Sequence, residues 1–215
     1  MDWNKQDKYF EDIVDLCKVG EVRDSKREYF ASKYQWLKEN HPEYWVWDQD
    51  FQFGINFLDK LSTSNYNSIL DVGCGSGQFC RLVKDANMCN IVNGTDIVDV
   101  VSVSRDNIEF NFEGCAQELP YKDNQFDVVT SFDVLEHVIE EDVSSVLDEI
   151  FRVASKEVFL AICHRESWSY REEIGELHAT NKSKDWWDGQ LVRFLKGEYY
   201  WHQYKKDTIF WAIEV

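Results

Sequence analysis

The stretch ILDVGCGSG, residues 69–77, decides the fold, because it is a short apolar run that ends in three glycines spaced two apart. Ser68–Val72 predicts a buried strand before the glycines, and Gln78–Ala86 predicts a helix after them. Glycine permits a tight turn and a close approach of a ligand to the backbone, and a helix begins with free amide groups. A strand, a glycine loop and a helix in this order predict a ligand crevice at the carboxyl edge of a sheet.

Apolar segments continue to alternate with helical ones after this loop. Further strands are predicted at Ile91–Asp96, Ile108–Cys115, Phe126–Phe132 and Glu157–Cys163, with a helix at Asp142–Val153. A crossover helix is expected at Ile97–Asn107, although that segment is short and rich in valine and serine. Strands that alternate with helices predict a mostly parallel sheet with helices on both faces.

The two ends of the chain differ from this alternating middle. Residues 1–61 carry aromatic residues at helical spacing, with one helix that should end before His41-Pro42. Ser183–Leu195 predicts a helix, and Glu198–Tyr204 and Thr208–Val215 predict an antiparallel hairpin. We therefore predict an α/β Rossmann-like fold whose mostly parallel sheet ends in an antiparallel hairpin. A helical cap (1–61) would precede a core (62–215) with a substrate-side insertion at about 164–197.

Composition limits the classes of function. The chain has 23 Lys and Arg against 40 Asp and Glu, a net charge of -17, which repels phosphate backbones and disfavours nucleic-acid binding. The sequence has no apolar run of about 18 residues, so it predicts no membrane span. The first residues do not resemble a secretory signal. Six cysteines without CxxC spacing predict reduced thiols. We expect a cytoplasmic protein with no membrane association, and the sequence predicts no oligomeric state.

The spacing of the glycines does not suit a dinucleotide. They follow GxGxG, whereas a pyrophosphate site uses GxGxxG. Asp71 can attract an ammonium group, and the free amides of the loop suit a carboxylate, so the loop fits the end of an amino acid. Asp96 ends the second strand, where a carboxylate can bind both ribose hydroxyls. These features favour a phosphate-free nucleoside over NAD, while a turn that binds nothing is the structural alternative.

Four segments resemble the motifs of class I methyltransferases that depend on S-adenosylmethionine (SAM). ILDVGCGSGQF (69–79) resembles the first motif, and GTDI (94–97) resembles the second. CAQELPYKDNQFDVVTSFDVLEHV (115–138) resembles the third and fourth, and RVASKEVFLAI (152–162) resembles the approach to the fifth strand. The likeness is strongest to the group of small-molecule methyltransferases with an LEHV-type segment.

This resemblance implies SAM as the cofactor, S-adenosylhomocysteine (SAH) as the product, and an O, N or C nucleophile of a small molecule as the acceptor. The glycines would line the methionine end of SAM, and Phe132 and Asp133 would lie beneath the sulfonium. Many relatives have an aspartate at the position of Cys115, so the contact to the adenine amino group must come from Gln117, from the backbone, or be missing. The implied cofactor-binding residues are Asp71, Gly73, Cys74, Gly75, Gly77, Asp96, Ile97, Ala116, Gln117 and Phe132.

Three residues are candidates for catalysis. His164 follows the fifth strand at the ligand edge, His178 lies in a loop that can cross the pocket, and Asp133 would lie beside the acceptor. Alignment of the reactants contributes roughly 7–11 kcal/mol, and a base is needed only where the nucleophile carries a proton. Each histidine can equally be an ordinary hydrogen-bonded loop residue.

A metal site is a further alternative. Asp133, Glu136 and His137 have i, i+3, i+4 spacing, and on a helix they would share a face that can hold a divalent ion. This pattern is similar to the ExxEH segment of metal-assisted methyltransferases that act on quinone precursors or RNA ends. The favoured expectation is that no metal is used.

The rival functions are thus a metal-assisted RNA-end methyltransferase, a non-catalytic scaffold with the same fold, and an NAD-dependent oxidoreductase.

Overall fold

The computed structural model describes residues 19–47, 49–196, 200–205 and 207–215. The helical spacing seen at 10–17 and the predicted start of the hairpin at 198 lie outside the described residues. The described α-helices are α1 (Val19–Asn40), α2 (Gln49–Gly54), α3 (Leu58–Thr63), α4 (Gln78–Asp85), α5 (Glu140–Val153), α6 (Arg171–Ile174) and α7 (Lys184–Leu191). Short 3-10 helices span Pro42–Trp47, Ile55–Phe57, Leu135–His137 and Val192–Phe194.

Within these residues, seven strands form one sheet in the order β3-β2-β1-β4-β5-β7-β6. The strands are β1 (Ser68–Val72), β2 (Ile91–Thr95), β3 (Glu109–Asn111), β4 (Phe126–Phe132), β5 (Ala154–Cys163), β6 (Tyr200–Lys205) and β7 (Thr208–Glu214). Strands β1 to β5 pair in parallel, and β7 is antiparallel to both β5 and β6. The predicted Rossmann-like sheet with a final antiparallel hairpin is confirmed.

Two predicted elements differ from the structure for local reasons. The third strand is shorter than Ile108–Cys115, because Oδ1 of Asn111 accepts the amide of Glu113 at 2.7 Å and turns the chain. The crossover helix expected at Ile97–Asn107 is absent from that segment. There the carboxylates of Asp96 and Asp99 accept the amides two residues further on, which competes with helical hydrogen bonds.

Alternate residues of the strands enter two hydrophobic layers, one on each face of the sheet. On one face, Leu70, Val129 and Leu160 pack against the apolar side of α5. On the other face, Ile69, Val128 and Phe159 pack against α4 and against α2 and α3. Phe57 stacks on Phe159 with ring centroids 4.8 Å apart, so this end of the predicted cap covers the sheet.

Helix α1 ends at Asn40, directly before His41-Pro42 as predicted. Among the described residues, no helix is both long and apolar enough to cross a membrane.

Candidate functional site

A cavity of about 610 Å³ opens at the carboxyl edge of the parallel strands. Its floor comes from the ends of β1, β2 and β4 and from the loops that follow them, and its remaining walls come from α1, the turn after it, and the loop after β5. The lining includes the predicted residues Gly73, Gly75, Asp96, Ile97, Ala116, Gln117, Phe132, Asp133 and His178. The predicted residues Asp71, Cys74, Gly77 and His164 are not among the lining residues.

The glycine loop uses most of its amides internally. The amides of Gly73 and Cys74 both donate to the carbonyl of Thr95, at 2.7 and 3.0 Å, and the amide of Gly77 donates to Cys74 O at 2.8 Å. The amide of Gly75 donates to Asp96 Oδ2 at 2.9 Å. These four amides are therefore not free for a ligand carboxylate, in contrast to the expectation from the sequence.

Gly73 is needed in this loop for space. Its φ is +80°, a left-handed conformation, and a Cβ at this position would lie 2.2 Å from Cγ2 of Val134. The small residue brings the loop and the segment after β4 into direct contact across the floor of the cavity.

Asp71 lies behind the floor and ties two strands together. Its side chain is buried, and its Oδ1 accepts the hydroxyl of Thr130 at 2.6 Å. The thiol of Cys80 donates to Oδ2 at 3.6 Å. This position favours a structural role in the sheet, and the predicted contact with an ammonium group stays a prediction.

The carboxylate of Asp96 is held in place at the end of β2. Oδ2 accepts the amide of Gly75, and Oδ1 accepts the amide of Val98 at 3.3 Å. A carboxylate oxygen has two lone pairs, so it can accept hydrogen bonds from two donors, such as a backbone amide and a ligand hydroxyl. Asp96, Ile97 and segment 114–117 line the same cavity, so a ribose bound at Asp96 can have its base in contact with that segment.

Helix α1 presents one face to the cavity. Arg27, Phe30, Ala31 and Tyr34 lie at helical spacing and all line it. Arg27 binds the carboxylate of Asp142 through two nitrogens, with Nη2 donating to Oδ1 at 2.8 Å. The Tyr34 hydroxyl lies 2.5 Å from Nδ1 of His137. Polar contacts thus hold α1 over the carboxyl edge of the sheet.

One wall of the cavity is aromatic and includes the rings of Tyr44, Trp45 and Tyr170. Its rings contact one another: Tyr44 lies 4.8 Å from Trp45 and 6.0 Å from Tyr170 between ring centroids. Tyr170 donates to Glu43 at 3.0 Å. An aromatic wall with a few polar groups is typical of small-molecule pockets.

Two acidic side chains that follow β4, those of Asp133 and Glu136, interact with each other. Asp133, with a φ of +59°, follows β4, and Glu136 is fully buried with its Oε1 accepting the amide of Cys163 at 2.6 Å. Burial raises the pKa of Glu136 well above its ordinary value, and the nearby Asp133 carboxylate raises it further. The raised pKa favours the neutral form of Glu136 beside the Asp133 carboxylate.

Two histidines meet at the same end of the cavity. The rings of His137 and His178 lie 4.7 Å apart, edge to face. Nδ1 of His178 lies 2.5 Å from the carbonyl of Arg165, so Nδ1 carries a hydrogen and Nε2 is the ring nitrogen that remains for a ligand. Burial, and then the proximity of His178, lower the pKa of His137 to about 3, so His137 is neutral. The pair combines one neutral histidine with one whose tautomer suits a base.

His164 does not join this group. It follows β5 as predicted, but its amide donates to Asp207 O at 2.7 Å at the start of β7. The chain then turns, and Arg165 rather than His164 lines the cavity.

The candidate metal ligands also group differently from the sequence expectation. The segment Leu135–His137 is a 3-10 turn rather than part of an α-helix, so the i, i+3, i+4 argument is wrong. The ligand atoms of Glu136, His137 and His178 lie within 4.8 Å of one another, and those of Asp133, Glu136 and Cys163 form a second such group.

Sequence reasoning missed Arg27, Asp142 and Arg165 in the cavity wall. For Arg27 a signal existed, because it stands at helical spacing from Phe30 and Tyr34. The other two enter the site through long-range packing that no local pattern encodes.

Comparison with known proteins agrees with this geometry. The family described as "Methyltransferase domain" matches residues 70–162. A ubiquinone biosynthesis O-methyltransferase of Pseudomonas fluorescens is 30% identical over 144 residues, which is 58% of this chain and 60% of that protein. The chain spans less than two thirds of the length of the first curated relatives it matches.

Solved structures share the fold. The N-methyltransferase NodS of Bradyrhizobium japonicum, in complex with SAH, has a TM-score of 0.58 at 16% identity, with 84% of this chain and 97% of NodS covered. The PH0226 protein of Pyrococcus horikoshii has a TM-score of 0.61 at 19% identity, with 76% and 88% covered. The match of residues 70–162 to the methyltransferase-domain family, the strand order of the sheet and the fold shared with these solved structures agree with one another.

Proposed function

We propose that the protein transfers the methyl group of SAM to an O, N or C nucleophile of a small-molecule acceptor. The observation that carries this proposal is the single cavity that joins Asp96 and segment 114–117 to an aromatic chamber under α1. The sulfonium would lie near Phe132, and the acceptor would fill the aromatic chamber. Enclosure by α1 favours a small molecule over a polymer, and the net charge of -17 disfavours nucleic acid. The relatives named as O- and N-methyltransferases support the reaction type.

The residues of the chain account for the steps that the reaction needs. The floor and the aromatic wall align the acceptor with the methyl carbon and exclude water, which is the main requirement of this displacement. Nε2 of His178 can take the proton of the acceptor, because its Nδ1 hydrogen is bound to Arg165 O. Asp133, which lines the same region, can serve the acceptor as a hydrogen-bond partner.

The first test is calorimetry with SAH, which needs no known acceptor. We expect binding, and no measurable affinity would contradict the proposal. The second test measures SAH release with a panel of phenols, amines and carbon acids. With the best acceptor, His178→Asn should lower kcat by about 10²–10⁴ while SAH affinity stays within about twofold. His164→Asn is the matched control, because His164 lies outside the cavity lining. Equal loss in both variants would remove His178 as the base.

The cluster of Glu136, His137 and His178 supports a second candidate, a metal-assisted form of the same transfer. Two imidazoles and a carboxylate fit a divalent transition metal, and the hydrogen bond from Nδ1 of His178 to a backbone carbonyl would fix the orientation of a metal-binding imidazole. A bound ion would lower the pKa of an acceptor hydroxyl. The test is calorimetry with Mn²⁺ or Zn²⁺ alone, together with activity after EDTA. If the protein binds neither ion and its activity does not change after EDTA, the metal-assisted candidate is excluded. The RNA-end alternative, which depends on the metal, is then excluded as well.

A further inference from the structure

The position of the base follows from the order of the strands, if the proposed function holds. Asp96 directly follows β2 and lines the cavity, where its carboxylate suits a ribose. In the sheet, β2 lies between β1, which leads into the glycine loop, and β3, which leads into segment 114–117. A nucleoside whose amino-acid end lies on the β1 side of Asp96 therefore places its base against 114–117.

The polar group that this segment offers to the base is the amide of Gln117. Its Nε2 donates to Oδ2 of Asp142 at 2.8 Å. A carboxylate only accepts, so the NH₂ group must face Asp142, and the amide cannot be flipped without losing this bond. Oε1 is consequently the atom that Gln117 presents as an acceptor, and no donor from the described residues binds it.

Helix α1 fixes this arrangement from above. The side chain of Asp142 is fully buried, and Arg27 binds both of its oxygens. Asp142 is the leading cause of the raised pKa of Arg27. Planar, two-point binding by a guanidinium sets the orientation of a carboxylate more closely than a lysine could. Arg27, Asp142 and Gln117 thus form a chain of charge-assisted hydrogen bonds from α1 to the base end of the cavity.

We propose that Oε1 of Gln117 recognises the exocyclic amino group of the base by accepting a hydrogen bond from it. Asp142 and Arg27 are positioning residues, which hold the amide of Gln117 so that Oε1 faces the ligand. The site would then select a 6-aminopurine and reject a 6-oxopurine, whose oxygen would face Oε1. Since Arg27 belongs to α1, seating of α1 over the cavity and recognition of the base become one event.

The test compares binding of SAH with that of S-inosyl-L-homocysteine, in which an oxygen replaces the amino group. Wild-type protein should bind SAH about 10- to 100-fold more tightly, because the oxo compound leaves two acceptors facing each other. Gln117→Met, which keeps the length of the side chain without its polar atoms, should reduce the ratio to within about twofold of unity.

The positioning residues are tested by the same ratio, which a loss of general stability would not change. Asp142→Asn and Arg27→Lys should each reduce the ratio at least fivefold, because the amide of Gln117 can then turn over. Lys26→Gln is the matched control, since Lys26 lies beside Arg27 on α1, pairs with Glu141 of α5, and is not a lining residue. It should leave the ratio unchanged, and circular dichroism would establish that each variant is folded.

The outcomes separate this inference from the proposed function. Equal binding of the two compounds by wild-type protein, or a ratio that survives Gln117→Met, would overturn the role of Gln117. A ratio unchanged in both Asp142→Asn and Arg27→Lys would overturn the positioning chain. Binding of neither compound would overturn the proposed function itself, and the inference with it.

Discussion

Replacement of Gly73 by alanine probes whether close packing beneath the cavity depends on the absence of a side chain. The φ of +80° costs an alanine about 1–2 kcal/mol. The added Cβ would lie 2.2 Å from Val134 Cγ2, and relief of such overpacking costs about 1–3 kcal/mol more. We therefore expect Gly73→Ala to lower the free energy of unfolding by about 2–5 kcal/mol, which lowers Tm by roughly 5–20 °C in a chain of this size.

The two contributions can be separated, because only one of them involves Val134. In the double variant Gly73→Ala, Val134→Ala the two contacts below 3 Å disappear, a contact of 3.1 Å with the Cβ of residue 134 remains, and the strained φ is unchanged. Urea unfolding of the wild type, both single variants and the double variant should give a favourable coupling of about 1–3 kcal/mol. Gly189→Ala is the control: nothing lies within 4 Å of its added Cβ, and it lies inside α7. That change should stabilise the protein by about 0.5–1 kcal/mol.

The packing argument fails if Gly73→Ala unfolds within about 1 kcal/mol of the wild type. It also fails if removal of the Val134 methyl groups restores none of the unfolding free energy that Gly73→Ala loses. The whole loss would then come from the strained backbone conformation and not from the collision.

Three further predictions concern other parts of the molecule. Asp96→Ala should weaken SAH binding at least about tenfold in calorimetry, because a charged acceptor for the ribose is lost; unchanged affinity would contradict the ribose site. Burial lowers the pKa of Lys33 to about 8, so the folded state releases a proton that the unfolded state keeps up to about pH 10.5. The wild type should therefore gain Tm relative to Lys33→Met as the pH rises from 8 to 10, and a constant difference would contradict this burial effect. Cys115 is exposed and lines the cavity, so SAH should slow its alkylation as followed by peptide mass spectrometry, whereas equal rates with and without SAH would place the ligand elsewhere.

The fold could be predicted largely from local patterns. The apolar runs that became β1, β4 and β5 are buried on both faces, and such strands read as continuous apolar segments in the sequence. The segment 97–107 and the end of β3 were less predictable, because side chains of aspartate and asparagine there redirect the backbone.

The candidate site was predictable in part. Asp96 was predicted from its place at the carboxyl end of a parallel strand, whereas Phe132 was predicted only from the resemblance to methyltransferases. The role of the loop amides was not, because their bonds to Thr95 and Asp96 join segments about twenty residues apart. The contact between Arg27 and Asp142 spans 115 residues, and no periodicity in a sequence encodes such a distance.

The place of β7 in the sheet has a consequence for synthesis of the protein. Strand β7 is inserted between β5 and β6, although it follows both in the sequence. While the ribosome adds residues at about 5–20 per second, the hydrogen-bonding edge of β5 waits without its neighbour, and β6 emerges before the strand on which it will dock. Nascent chains halted just before residue 208 should consequently expose an incomplete sheet with an unpaired edge at β5, which can pair with other chains. We expect chaperones to bind such chains.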